Sequence, residues 1–223
     1  MLGENFSMIV LAGGKSSRMG TDKADLTIGD KTFLQIQIEK GRQLGIRDIQ
    51  VSGYRGTNCD IPVTPDRFPD RGPLGGLESC LRRAKHDKCL VLSVDVPLVP
   101  VEELENLLKA SIQGATILKN SGKEQPLIAV YDKGLADAML AEIVEGKGSV
   151  FSFLNKAGYT VYESTAPESY FMNVNAPEAY ADMKKKTAIF CKKLLRVLCW
   201  HCIIDMLHCG FYMSILIIQG GSI

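Results

Sequence analysis

The chain has 223 residues (24.4 kDa), enough for one domain of ordinary size or slightly more and too few for two enzymatic domains. Apolar residues make up 46% and charged residues 23%, which excludes chain-wide disorder and a coiled coil. Lys plus Arg (26) nearly cancels Asp plus Glu (25), so no global field recruits nucleic acid or an anionic membrane, and any bound anion must be held by local geometry.

Residues 7–12 (SMIVLA) form a short apolar run ending at Gly13-Gly14, the pattern of a strand buried on both faces. Residues 32–44 carry an imperfect helical stripe through Phe33, Leu34, Ile36, Ile38 and Leu44, weakened by Gly41 and closed by Gly45. Strands are expected at 49–52 and 61–64, then a helix over 75–85 entered through Gly72-Pro73-Leu74. Residues 88–94 (KCLVLSV) are the clearest buried strand, stopping at Asp95 with Pro97 just beyond. Pro100 opens an amphipathic helix to about 113. Strands at 115–119 and 127–131, helices at 135–145 and 149–157, a strand at 159–163 and a helix at 177–186 complete the unit. Strands alternating with helices predict an α/β fold: a three-layer, Rossmann-like, mostly parallel sheet. Ligands of such sheets sit beyond the C-terminal strand ends, where the glycine loop and Asp95 both fall.

Residues 1–186 read as one domain and 187–223 as an apolar, Cys-rich tail of unknown role. The tail holds four of the seven Cys, the only Trp and two of the three His. Residues 197–218 are long enough to span a bilayer, but Asp205, His201 and His208 near the middle argue against insertion. Cys199 and Cys202 with His208 and Cys209 have spacing compatible with zinc or redox chemistry, although the stretch reads as one continuous helix rather than the turns a zinc site uses. Three Cys before residue 190 give no disulfide framework, and the first residues lack a signal-peptide pattern, so a reduced, cytoplasmic setting is expected.

The most informative stretch is Leu11-Ala12-Gly13-Gly14-Lys15-Ser16-Ser17-Arg18-Met19-Gly20, with Asp22-Lys23 close behind. Paired glycines after a buried strand turn the backbone tightly and present bare N–H groups, and Lys15, Arg18 and Lys23 add three cations, as a polyphosphate requires. The same residues also read as a glycine-rich turn whose cations merely face water. It is not a P-loop, because Ile9 stands where the first glycine belongs, and there is no GxGxxG.

LAGGKSSRMGTDKA resembles the nucleotidyltransferase signature LAGGxSxRMGxDKA, and specifically that of molybdenum cofactor guanylyltransferases, the MobA family. The resemblance continues through Thr64-Pro65-Asp66, Arg71 to Gly76 (RGPLGG against the usual GPLAG), Asp95-Val96-Pro97, Gln125-Pro126-Leu127 and Phe171 to Glu178 (FMNVNAPE), so ordered matches span about residues 7–183. It implies transfer of GMP from GTP to molybdopterin with release of pyrophosphate. Leu11, Ala12, Gly13 and Gly14 would contact the nucleotide, Lys23 and Arg18 its phosphates, and Asp66 the nucleotide. Asp95 would ligate Mg²⁺ beside the α-phosphate, and Asn173 and Asn175 would sit near the second substrate or the metal. Molybdenum-cofactor insertion and acceptor enzymes would be the protein partners.

In-line displacement at the α-phosphorus needs alignment and charge neutralisation. An acceptor phosphate is already ionised at neutral pH, so a dedicated base is unnecessary, in keeping with a body whose only histidine, His86, lies outside every motif. Read without the resemblance, Asp95 equally suits a turn before Pro97, Asp66 ordinary turn chemistry, and Asn175 a cap for the helix at Pro177. Related cytidylyltransferases have LAAG where this chain has Leu11 to Gly14, and the missing methyl suits a larger purine. The competing functions are a relative using CTP or a sugar phosphate, and a non-catalytic nucleotide binder or membrane-tethered adaptor.

Overall fold

The computed structural model describes residues 2–13, 22–57, 59–68 and 70–184. Gly14, Lys15, Arg18 and the whole tail from residue 185, with the domain boundary expected at 186, lie outside them. Residues Met1–Ala179 form one compact unit. In chain order its elements are β1 (Phe6–Leu11), a hairpin of β2 (Thr27–Ile28) and β3 (Lys31–Thr32), α1 (Phe33–Gln43), β4 (Asp48–Ser52), β5 (Val63–Thr64), α2 (Gly72–Arg83), β6 (Lys88–Ser93), α3 (Val101–Ala110), β7 (Ala115–Asn120), β8 (Lys123–Asp132), α4 (Ala136–Val144), α5 (Val150–Ala157) and β9 (Thr160–Ser164).

The main sheet has the order β5-β4-β1-β6-β8-β7-β9. Every neighbouring pair is parallel except those of β8, which runs against both β6 and β7. The fold is thus the expected three-layer, mostly parallel α/β sheet. β1 lies third from one edge and is buried throughout, as its unbroken apolar run requires. Its side chains alternate between two helical layers. Ile9 and Leu11 join Leu74, Leu77 and Leu81 of α2 and Met139, Ile143, Phe153 and Leu154 of α4 and α5. Each fully buried leucine contributes about 1.5–3 kcal/mol. Met8 faces the opposite layer, where α1 packs closely: a Cβ on Gly41 would come 2.3 Å from Met8 Sδ and 3.1 Å from Ile49 Cδ1. The glycine that weakens the helical pattern is the one that lets α1 approach the sheet.

Local chemistry explains the boundaries. Thr32 and Gln35 form a reciprocal capping box at the start of α1, and Gly45 (φ 83°) follows its end. α2 begins three residues earlier than the glycine pattern suggests, with Gly72 at φ 59° and Pro73 in its first turn. β8 is twice the expected length, and Pro126 falls at a register shift where Leu118 pairs with Gln125 although Ile117 pairs with Ala129. The Tyr131 hydroxyl donates to the Pro126 carbonyl at 2.8 Å and holds that irregularity. Among the described residues, no helix is long and apolar enough to cross a membrane.

Candidate functional site

Of the expected site residues that are described, Leu11, Ala12 and Gly13 lie at the C-terminal end of β1, Asp66 just after β5 and Asp95 just after β6. Leu11 and Ala12 are buried and tied into the sheet: Val94 N–H donates to the Leu11 carbonyl (3.0 Å) and Ala12 N–H to the Ser52 carbonyl (2.8 Å). Gly13 comes next and is exposed. It lies back to back with Gly53, a residue the motifs did not single out. A Cβ on Gly53, at φ 77°, would come 2.4 Å from Gly13 Cα, and one on Gly13 would come 3.1 Å from Gly53 Cα. A side chain at position 13 would thus be a tight fit against the neighbouring backbone, which would have to give by a few tenths of an ångström. The signal for Gly53 is its place directly after a strand, the same place Gly13 holds.

The segment 72–76 packs against the same strand ends. A Cβ on Gly76 would meet Ser52 Oγ at 2.4 Å and lie 3.8 Å from Leu11 Cδ2, so this glycine fits under Ser52, and Gly75 stands where the usual pattern has alanine. Gly75 faces Phe68 O and Asp66 Oδ1, which a Cβ would approach to 2.8 and 3.0 Å. Asp66 Oδ1 accepts from Phe68 N–H at 2.8 Å, a turn of the kind its neighbours suggested, and Ser79 Oγ accepts from Arg67 N–H at 3.1 Å while donating to Gly75 O. The loop after β5 is thus pinned to the first turns of α2, with Asp66 half-buried against them.

Asp95 follows β6 by two residues. Its backbone carbonyl accepts from Val174 N–H at 2.8 Å, which brings the segment 173–175 beside it. Val174 is buried while Asn173 and Asn175 are exposed, the alternation of an extended segment. Asn175 Oδ1 accepts a hydrogen bond from Lys23 Nζ. Lys23 lies in a single 3-10 turn, Lys23–Asp25, whose start is capped by the Asp22 carboxylate. Gly13, Asp95, Asn175 and Lys23 are therefore joined by short steps: Leu11 to Val94, Asp95 to Val174, and Asn175 to Lys23. Asp66 and the 72–76 segment close the other side. The half-buried Asp95 carboxylate has no hydrogen-bond donor among the described residues, and Arg18 lies outside them.

Two further polar residues reach the Asp95 loop from behind. Gln37 and Lys40, both on α1, are buried at 0% and 7% exposure. Gln37 Nε2 donates to the carbonyls of Ser93 (2.8 Å) and Val96 (3.1 Å), and Lys40 Nζ donates to Pro97 O (2.8 Å) and Gln37 Oε1 (3.0 Å). Burial pushes the Lys40 pKa down to about 7. Neither residue belongs to a motif. Their signal is positional, since both fall on the buried face of a helix where the pattern calls for apolar side chains.

A family model described as a MobA-like NTP transferase domain matches residues 8–160. The chain belongs to this family. Among its MobA-like relatives is a protein named "Probable molybdenum cofactor guanylyltransferase" from Carboxydothermus hydrogenoformans, 31% identical over 201 residues, which span 85% of this chain and 99% of that protein. The molybdenum cofactor guanylyltransferase of Cereibacter sphaeroides is 31% identical over 180 residues, or 78% of this chain and 92% of that one. Among solved structures, molybdopterin-guanine dinucleotide biosynthesis protein A from Archaeoglobus fulgidus superposes with a TM-score of 0.69 at 22% identity, covering 82% of this chain and 98% of the other. That likeness shows the MobA-like fold.

Proposed function

We propose that the chain is a molybdenum cofactor guanylyltransferase, transferring GMP from GTP to molybdopterin with release of pyrophosphate. The observation that supports the reading is the run of hydrogen bonds from Leu11, two residues before Gly13, to Val94, from Asp95 to Val174, and from Asn175 to Lys23, in a chain of the MobA-like family. The crevice beyond the C-terminal strand ends is where open α/β sheets bind nucleotides.

The residues from Leu11 to Gly14 receive the nucleotide. Lys23 and Arg18 neutralise phosphate charge. Lys23, which donates to Asn175 Oδ1, passes to a phosphate oxygen when the nucleotide arrives. Asp66 shapes the wall formed with Gly75 and contacts the nucleotide. Asn173 and Asn175 line the side from which molybdopterin approaches. Its terminal phosphate is ionised at neutral pH, so the protein has only to align it with the α-phosphorus and the leaving pyrophosphate.

The donor set suits Mg²⁺. Among the described residues no three metal-ligating side chains cluster, but one unengaged carboxylate at a strand end fits a cation that shares its coordination with phosphate oxygens and water. Asp95 would hold it, and the bound ion would supply charge neutralisation at the α-phosphate. Guanine is the base assigned by the relatives' names and by the glycine at position 13, which Gly53 also crowds.

Purified protein incubated with molybdopterin, Mg²⁺ and each nucleoside triphosphate in turn tests the reading. Pyrophosphate release with GTP is expected; release with CTP alone would overturn the base assignment and favour a cytidylyltransferase. In the same assay Asp95→Ala should abolish turnover while retaining Mg²⁺-independent nucleotide binding. Lys23→Ala should lower kcat/KM by about 2–4 kcal/mol if its phosphate contact tightens in the transition state.

A further inference from the structure

The loop that carries Asp95 has its backbone held almost completely. β6 ends at Ser93, and the carbonyls beyond it have no further strand to pair with. α1 supplies the missing donors from side chains. Gln37 Nε2 takes the carbonyls of Ser93 and Val96, and Lys40 Nζ takes that of Pro97. From the other side, Val94 N–H is fixed to Leu11 O and Asp95 O to Val174 N–H. Among the described residues no donor reaches the Asp95 carboxylate, which stands on a backbone restrained from both directions.

The geometry points to Gln37 and Lys40 as positioning residues of the transferase reaction: a buried two-residue clamp on α1 that sets where the Asp95 carboxylate stands.

Several features fit a dedicated clamp better than incidental core polarity. Only one orientation of the Gln37 amide satisfies all its partners, with the NH₂ on two carbonyls and the oxygen on Lys40. Lys40 has two acceptors, Gln37 Oε1 and Pro97 O, the number of N–H groups a neutral amine can donate. Burial, which lowers its pKa to about 7, favours that form more than in an exposed lysine. A buried amine costs stability that an apolar residue of the same length would not. Here it spans from α1 to Pro97, four residues beyond the end of β6, in the loop that bears the residue assigned to the metal. Restraint of a carboxylate against a cation and a developing charge is how a supporting shell acts, since misplacement of about 1 Å is enough to lower turnover.

The inference rests on the reading of Asp95 as the Mg²⁺ ligand, so the test includes that residue. Lys40→Met and Gln37→Met keep the volume and length of each side chain while leaving the loop carbonyls without donors. Pyrophosphate release by the full chain is followed against Mg²⁺ and against GTP, alongside thermal melts. Both variants should need at least about fivefold more Mg²⁺ for half-maximal rate and lose about tenfold in kcat, with KM for GTP within about twofold of the parent. A melting temperature equal to or above the parent's accompanies that result in Lys40→Met. Wild-type Mg²⁺ dependence and kcat in both variants would overturn the clamp while Asp95→Ala remained inactive. Loss of rate that merely follows a lowered melting temperature, at unchanged Mg²⁺ dependence, would reduce the pair to structural residues and overturn it equally. Full activity in Asp95→Ala would instead overturn the metal reading, and the clamp with it. Should Lys40→Met fail to fold, Gln37→Met alone decides between these results.

Discussion

Lys40 carries a consequence for stability that is separate from catalysis. In the folded chain burial lowers its pKa to about 7, whereas the unfolded chain keeps the ordinary 10.5. Between those values the unfolded chain binds more protons, so this group's contribution to stability rises with pH through that window and is flat below it. Urea denaturation at pH 9 should give a stability about 2 kcal/mol higher than at pH 7 from this group, and Lys40→Met should lack that increment. An equal pH response in parent and variant would show that Lys40 does not lose its proton on folding. Asp66 shows how little a single residue reveals by itself. Flanked by Pro65 and Arg67 it reads as a turn residue, and its Oδ1 does accept from Phe68 N–H; a nucleotide role for it rests on family membership. Asn175 shows the reverse: from the sequence it suits a helix cap as well as a site role, and contact with Lys23 is what only the structure adds.

At the level of elements, the strand-end turns depend on close backbone approach. Gly53 and Gly29 both have positive φ, 77° and 61°, but a Cβ on Gly53 meets Gly13 at 2.4 Å while one on Gly29 meets nothing within 4 Å. The pair separates conformational strain from contact. Gly29→Ala should cost about 1 kcal/mol and leave kinetics intact; Gly53→Ala should cost about 1–3 kcal/mol and also raise KM for GTP, because the turn beside it must move. Equal effects in melts and kinetics would remove Gly53 from the site. Much of this arrangement was legible in the sequence. β1 and β6 announce themselves as apolar runs ended by glycine or aspartate, and the doubly wound alternation follows from them. Three things were not legible. The β2–β3 hairpin is only two residues per strand, too short for any periodicity. The antiparallel course of β8 leaves no mark in composition, because its Leu127 to Tyr131 core is as apolar as a parallel strand. Gln37 and Lys40 appear in the sequence only as flaws in a stripe that Gly41 already weakens, and tertiary contact alone shows that all three positions are occupied for a reason.

Across the whole molecule, every residue assigned to the crevice lies before the helical residues 177–184, and the family match ends at residue 160. A chain ending at Lys184 should therefore retain GTP-dependent pyrophosphate release with kcat/KM within about twofold of the full chain, as expected when no transition-state contact has been removed. A large loss would assign the apolar segment a part in the domain. The stretches assigned to the site are separated by up to about 160 residues in sequence, and no one of them identifies the reaction alone; in the proposed site, parallel strands deliver the ends that carry Gly13, Asp66 and Asp95 to one edge. A crystal structure of the protein with GTP and Mg²⁺ examines that arrangement most directly. The triphosphate should lie between the Gly13 turn and Lys23, with Lys23 withdrawn from Asn175 and the cation bound to the Asp95 carboxylate. Nucleotide bound elsewhere, or a cation with no contact to Asp95, would contradict the assignment.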